Sequence, residues 1–172
     1  MKKLISREER NERLISFGIS KQFLSNIGNI DELEFLVEDP KGAYFYFPTM
    51  DYKIFSGFEI TPIFDSGETF YALFENNNMS KIVKFELEND EIYFDYGQNW
   101  NLLLLSIMID LFDQYLEDEI SENRFIEIGN KIGFEKSSEL FNLRDLSVEE
   151  LNEKFKDNKK WELEIAEKLK IL

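Results

Sequence analysis

Apolar positions along the middle of the chain fall in short runs separated by small polar turns. "FEITPIF", "TFYALFE", "KIVKFELE" and "EIYFDY" follow one another between residues 58 and 96, and "GAYFYF" precedes them. Each run is rich in aromatic and β-branched residues, the signature of strands. In the fourth, Val83, Phe85 and Leu87 alternate with Lys84, Glu86 and Glu88; in the fifth, Ile92, Phe94 and Tyr96 alternate with Glu91, Tyr93 and Asp95. This period of two places the members of each set on opposite faces of a sheet. The connectors "DSGE", "NNNMS" and "END" are hairpin-length, so an antiparallel meander is the economical topology. Pro62 lacks an amide hydrogen, which predicts an edge or a bulge in "FEITPIF".

On either side of these runs the period lengthens. Residues 4–17 are weakly amphipathic, and "SKQFLSNIG" predicts a short helix stopped at Gly28. "DELEFLVEDP" fits helix and strand equally until Pro40 closes it. Beyond Gly97, "NWNLLLLSIMIDLFDQYLEDEI" predicts a helix from about Asn101 to Glu119, apolar almost all round in its first half and therefore a core helix laid across the sheet. Asp110, Asp113 and Glu117 mark its wet face. Ser121 is a candidate N-cap, and Ser147 with Glu150 forms a capping-box pattern. Phe141, Leu143, Leu146, Leu151 and Phe155 are candidate apolar anchors. Trp161, Ile165 and Leu169 recur at helical spacing. The expected architecture is α+β: an antiparallel meander sheet packed against helices over residues 1–120, with a C-terminal helical extension, 121–172, packed on the same domain.

Composition supports folding and narrows the chemistry. At 172 residues with 43% hydrophobic and 15% aromatic content, the chain can bury about 70% of its unfolded surface. It holds no Cys and no His, which removes disulfides, thiol nucleophiles, Cys/His zinc sites, Ser-His-Asp triads and imidazole catalysis. The N-terminal "MKKLISREER" places charges where a signal peptide needs an apolar core. The longest apolar run, "LLLLSIMI", is far short of the roughly 20 residues of a membrane span. The expectation is a soluble, cytoplasmic protein.

Charge is concentrated. Of the formal net −15, residues 26–130 carry −17, against +3 for residues 1–25 and −1 for residues 131–172. A surface this acidic repels phosphate backbones and anionic lipid, so neither nucleic acid nor membrane is an expected partner, and a basic protein is. Glu86, Glu88, Asp90, Glu91 and Asp95, interleaved with Tyr93, line two predicted strands and their turn. Aromatic rings beside uncompensated acids suit an interface with a basic protein, and equally a charged outer sheet face or a guarded edge strand.

Other chemistry finds little footing. Asp65-Ser66-Gly67-Glu68 reads as a hairpin turn, with Asp65 bonding its own backbone and Gly67 supplying a positive φ. The further oxygen ligands of a calcium loop are missing, and a Ser66 nucleophile would have no histidine base. Among 35 acids some pairs meet glycosidase spacing by chance. Asp110, Asp113 and Glu117 lack the histidine partners of a di-metal bundle. Asn76-Asn77-Asn78 reads as a loop tip, and no glycine-rich phosphate cradle occurs. No catalytic residue, metal site or cofactor is expected.

The order of these features resembles the SUKH superfamily of bacterial toxin-immunity proteins and yeast cell-wall regulators. The resemblance spans roughly residues 17–119. It is carried by "ISKQFLSNIGNI", by "FEITPIFDSGETFYALF" with Asp65, Gly67, Glu68 and Phe70 at its turn, by "KIVKFELENDEIY", and by "GQNWNLLLLSIMIDLFDQYL". It implies a non-catalytic domain that binds and neutralises a cognate bacterial toxin. Many such toxins are nucleases with basic clefts, which an acidic protein can occupy as a charge mimic. The alternative it implies is a regulatory protein-interaction module of the cell-wall-regulator type.

Overall fold

The computed structural model describes residues 3–115, 120–143 and 145–172, which fall into two parts, residues 1–100 and 101–172. The architecture is α+β, as the apolar pattern predicts.

In the first part, β1 (Lys3–Leu4) leads into α1 (Arg7–Phe17) and α2 (Lys21–Asn26). The hydroxyls of Ser6 and Ser20 accept from the amides of Glu9 and Phe23, supplying partners for donors that a helix start leaves bare. Gly18, at φ 117°, ends α1 with its amide directed at Leu14 and Ile15. Next come a 3-10 turn (Asp31–Leu33), α3 (Lys41–Tyr46) and a second 3-10 turn (Lys53–Phe55). The meander follows as β2 (Glu59–Ser66), β3 (Thr69–Glu75), β4 (Ser80–Glu86) and β5 (Ile92–Gly97), in sheet order β1-β2-β3-β4-β5. β1 runs parallel to β2, and the other pairs are antiparallel.

"GAYFYF" is not a strand. It forms α3, because Ala43 and Phe47, four residues apart, are both buried against Phe55, Phe70 and Phe85 of the core. The carboxylate of Asp65 accepts from the amides of Gly42 and Ala43, at 2.8 and 3.2 Å. Burial of one helical face and a carboxylate on the first turn outweigh aromatic strand propensity.

Both faces of the central strands are buried. Ile60, Phe70, Ala72, Phe74, Val83 and Phe85 pack with α3 and the 3-10 turn after it, and Thr61, Ile63, Tyr71, Leu73 and Ile82 are buried too. Pro62 sits at a bulge between Pro62 and Phe64, as its missing donor predicts. The outer edge of β2 is closed piecemeal. Ile5 donates its amide to Ile60 (2.9 Å), the Arg10 guanidinium donates to the carbonyls of Pro62 (2.7 Å) and Ile63, and Glu38 exchanges two backbone bonds with Asp65.

The second part holds α4 from its second residue on (Trp100–Gln114), then α5 (Glu122–Ile132), α6 (Ser137–Phe141), α7 (Val148–Lys156) and α8 (Asn158–Lys168). Residues 102–109 of α4 are buried almost without interruption. Glu117 and the predicted end of that helix lie outside the described residues. Asp113 is exposed and paired with Lys154, whereas Asp110 is half-buried. Ser121 caps α5, and Ser147 and Glu150 make the reciprocal bonds of a capping box on α7. Phe141, Ile165 and Leu169 are buried, and Leu143, Leu146, Leu151 and Trp161 half-buried. Phe155, expected as an anchor, faces solvent instead, because the buried residue of α7 is Lys154, held by Asp113 and lying 4.7 Å from the Trp161 ring centre.

Candidate functional site

The acids singled out above all lie on or beside the β4–β5 hairpin, but the fold gives them different work. β5 is an edge strand with two irregularities in its register to β4. Phe85 pairs with Ile92 and Lys84 with Phe94, so Tyr93 has no partner in the ladder and its ring turns outward. The Asn89 amide donates to its hydroxyl. Desolvation, then the negative charges of Glu86 and Glu91, push the Tyr93 phenol above its ordinary value.

Two of the acids are structural. The Asp90 carboxylate accepts from the amides of Lys53 (2.7 Å) and Ile54 (3.0 Å) and caps the 3-10 turn there; those bonds hold it below the usual carboxylate range. Asp95 accepts from the Lys81 ammonium (2.8 Å) and from the Gly97 amide (2.9 Å). Glu86, Glu88 and Glu91 have no ion pair among the described residues; the charges of Glu86 and Glu91 bear on Tyr93, and that of Glu88, with Asp90, bears on Tyr52. The six-residue set therefore divides into an open group of Glu86, Glu88, Glu91 and Tyr93, and two acids engaged by the fold.

Asp65 is the second chemically distinct place. The turn it introduces is real: Ser66 pairs with Thr69 across Gly67 (φ 58°) and Glu68. Asp65 does not bond its own turn, however. It points across the sheet face to α3, where one oxygen takes the two amides and the other is buried without a hydrogen-bond partner. Burial pushes its carboxyl up to about 7, against the amide bonds that lower it; Glu38 and Asp39 push the same way as burial. The hydroxyl of Tyr44 is likewise buried and unpartnered, with the Arg7 guanidinium over its ring at 4.4 Å. Arg10, desolvated beside them, has its pKa lowered. This cluster can hold a proton near neutrality. Its distant partner α3 could be anticipated from sequence only by seeing that Ala43 and Phe47 share a helical face.

At the opposite end of the sheet, Arg13 spans Glu59 and Glu75 beside a shallow depression lined also by Ser16, Phe17, Ser80 and Gln98. Lys3 completes that ion-pair group through Glu59, at 2.7 Å. No group of three or more acids is placed to hold a metal ion among the described residues. No helix there is long and apolar enough to cross a membrane. No protein-family model, curated protein or solved structure matches the chain.

Proposed function

We propose that this chain is a non-catalytic immunity protein that binds and neutralises a cognate, basic bacterial toxin through its acidic hairpin. The reading rests on the sequence resemblance described above and on one observation: Glu86 and Glu91 stand beside an outward Tyr93, Glu88 lies in the turn between them, and no cation is paired to the three among the described residues. Open acids of one sign beside an amphipathic ring steer a basic surface to the site and give it something to pack on.

Co-expression with the toxin-like product of an adjacent reading frame tests the proposal. Growth should be rescued by the wild type and lost with the triple change E86K, E88K and E91K. Association of the purified pair should slow by roughly tenfold to a hundredfold at low salt in that variant. Asp90 and Asp95 are left intact because their bonds belong to the fold. Rescue that survives the triple reversal would remove this hairpin from the account.

A further inference from the structure

Two carboxylates from elsewhere in the fold hold the two ends of the segment that runs from α3 to the second 3-10 turn. At its far end, exposed Asp90 accepts from Lys53 and Ile54; bonds that hold it below the usual carboxylate range make this tether constant near neutrality. At its near end, Asp65 is 3% exposed and accepts from Gly42 and Ala43 through one oxygen. The fit is close, for a β-carbon on Gly42 would lie 3.0 Å from that oxygen and 3.4 Å from the Phe70 ring. Yet the contact is incompletely satisfied. The second Asp65 oxygen and the Tyr44 hydroxyl of α3 are both buried without a hydrogen-bond partner among the described residues. An unpaired buried carboxylate oxygen penalises the ionised form, and the unpaired hydroxyl weakens the same contact. No cation among the described residues bonds the carboxylate. Glu38 and Asp39, before α3, are acids that bear on it. α1 brings Arg10, whose guanidinium nitrogens are engaged by the carbonyls of Pro62 and Ile63 and the side chain of Asn11, and Arg7, which pairs with Asp39 at 3.4 Å. α3 carries Tyr44 and, exposed at its first residue, Lys41; the β3 neighbours Phe70 and Thr69 do not ionise.

We propose that α3 and the residues after it form a flap, hinged at the 3-10 turn that Asp90 holds and latched at Asp65, and that loss of the Asp65 proton releases the latch. Release lifts Ala43 and Phe47 away from Phe70 and Phe85 and uncovers that apolar face of the sheet. The direction follows from linkage. In the closed form the Asp65 carboxyl is pushed up to about 7, whereas a released Asp65 returns towards its ordinary 3.8. Closure is therefore strongest below about pH 4, weakens as pH rises towards 7, and is weakest above that. The two tethers differ only in burial, which makes one of them responsive to protons and the other indifferent to them near neutrality. This device asks nothing of the acidic hairpin's partner and stands apart from the immunity reading.

Hydrogen exchange of the full chain tests the latch, followed by mass spectrometry from about pH 5 to about pH 8 and divided by the intrinsic amide rate. Wild-type amides of residues 42–47 should lose protection by roughly thirtyfold or more across that range. Near the upper limit they should exchange roughly tenfold or more faster than those of residues 70–74 in β3, whose pairing the flap does not touch. Asp65→Asn keeps an acceptor for the two amides and should abolish the pH dependence. Tyr44→Phe removes the unpaired hydroxyl and leaves Asp65 to titrate, so it should slow α3 exchange by roughly threefold or more at every pH with the slope intact. Should Asp65→Asn fail to fold, the wild-type slope, the comparison with β3 and Tyr44→Phe decide the matter. Protection of α3 that does not change with pH, a slope that survives Asp65→Asn, or a Tyr44→Phe rate no slower than wild type overturns the proposal. So do equal corrected rates in α3 and β3 at every pH, because the fold would then open as one unit and no flap exists.

Discussion

Asp65 shows how one side chain can acquire a role that its neighbours in sequence conceal. As a turn residue it would sit in water and remain ionised. Pulled under α3, it gives one oxygen to two amides and leaves the other without a partner in a buried setting facing Glu38, Asp39, Arg10 and Tyr44. Its folded value of about 7 lies above the ordinary carboxylate value of 3.8. The folded state thus binds the proton more tightly than the unfolded chain. The stability this contributes is fully present below about pH 4, declines as pH rises towards 7, and is absent above that. Asp65→Asn keeps an acceptor for the amides and removes the titration. Urea unfolding of both proteins should therefore show the difference in stability moving in favour of Asn by on the order of 1–3 kcal/mol between about pH 4 and about pH 8. A difference that stays constant with pH would mean that the carboxyl is ionised throughout.

Helices and strands form here for reasons the chain states plainly in some places and hides in others. The four meander strands and the caps at Ser121 and Ser147 follow from period and turn chemistry alone, and all are present. β1 does not announce itself, because two residues carry no period, and it exists only by pairing with Glu59 and Ile60. α3 misleads because its aromatic residues fit a strand locally, while its amide partners come from Asp65, more than twenty positions away. Packing between α5 and α6 has an equally non-local cause. Gly129 is buried inside α5, and a β-carbon there would lie 1.7 Å from the Ser137 hydroxyl oxygen and 2.8 Å from its β-carbon. That hydroxyl is fixed by donation to the Phe134 carbonyl at 2.8 Å. Gly129→Ala should therefore destabilise by about 2–4 kcal/mol, although alanine is the better helix former. A thermal midpoint that rises in this variant would show that α6 can withdraw at little cost.

The middle of the molecule is acidic, and only part of that surface could be read in advance. Charge density located the hairpin, and Tyr93 and Glu86 do stand together there. Composition could not separate acids that face water from Asp90 and Asp95, since that depends on which amide or ammonium the fold brings within reach. The borders of the sheet bear on how whole molecules meet one another. On its β2 side, the gap left after two residues of β1 is filled by the guanidinium of Arg10, which caps the Pro62 and Ile63 carbonyls where a strand would otherwise run. Arg10→Met keeps the apolar stem and withdraws the donors, costing about 1–3 kcal/mol and baring backbone acceptors along an apolar strand. Thioflavin fluorescence on prolonged incubation should then rise in the variant alone. Arg10 thus stands between a closed sheet border and a template for fibre growth, and any ligand or modification that drew its guanidinium away would open that border to a second chain.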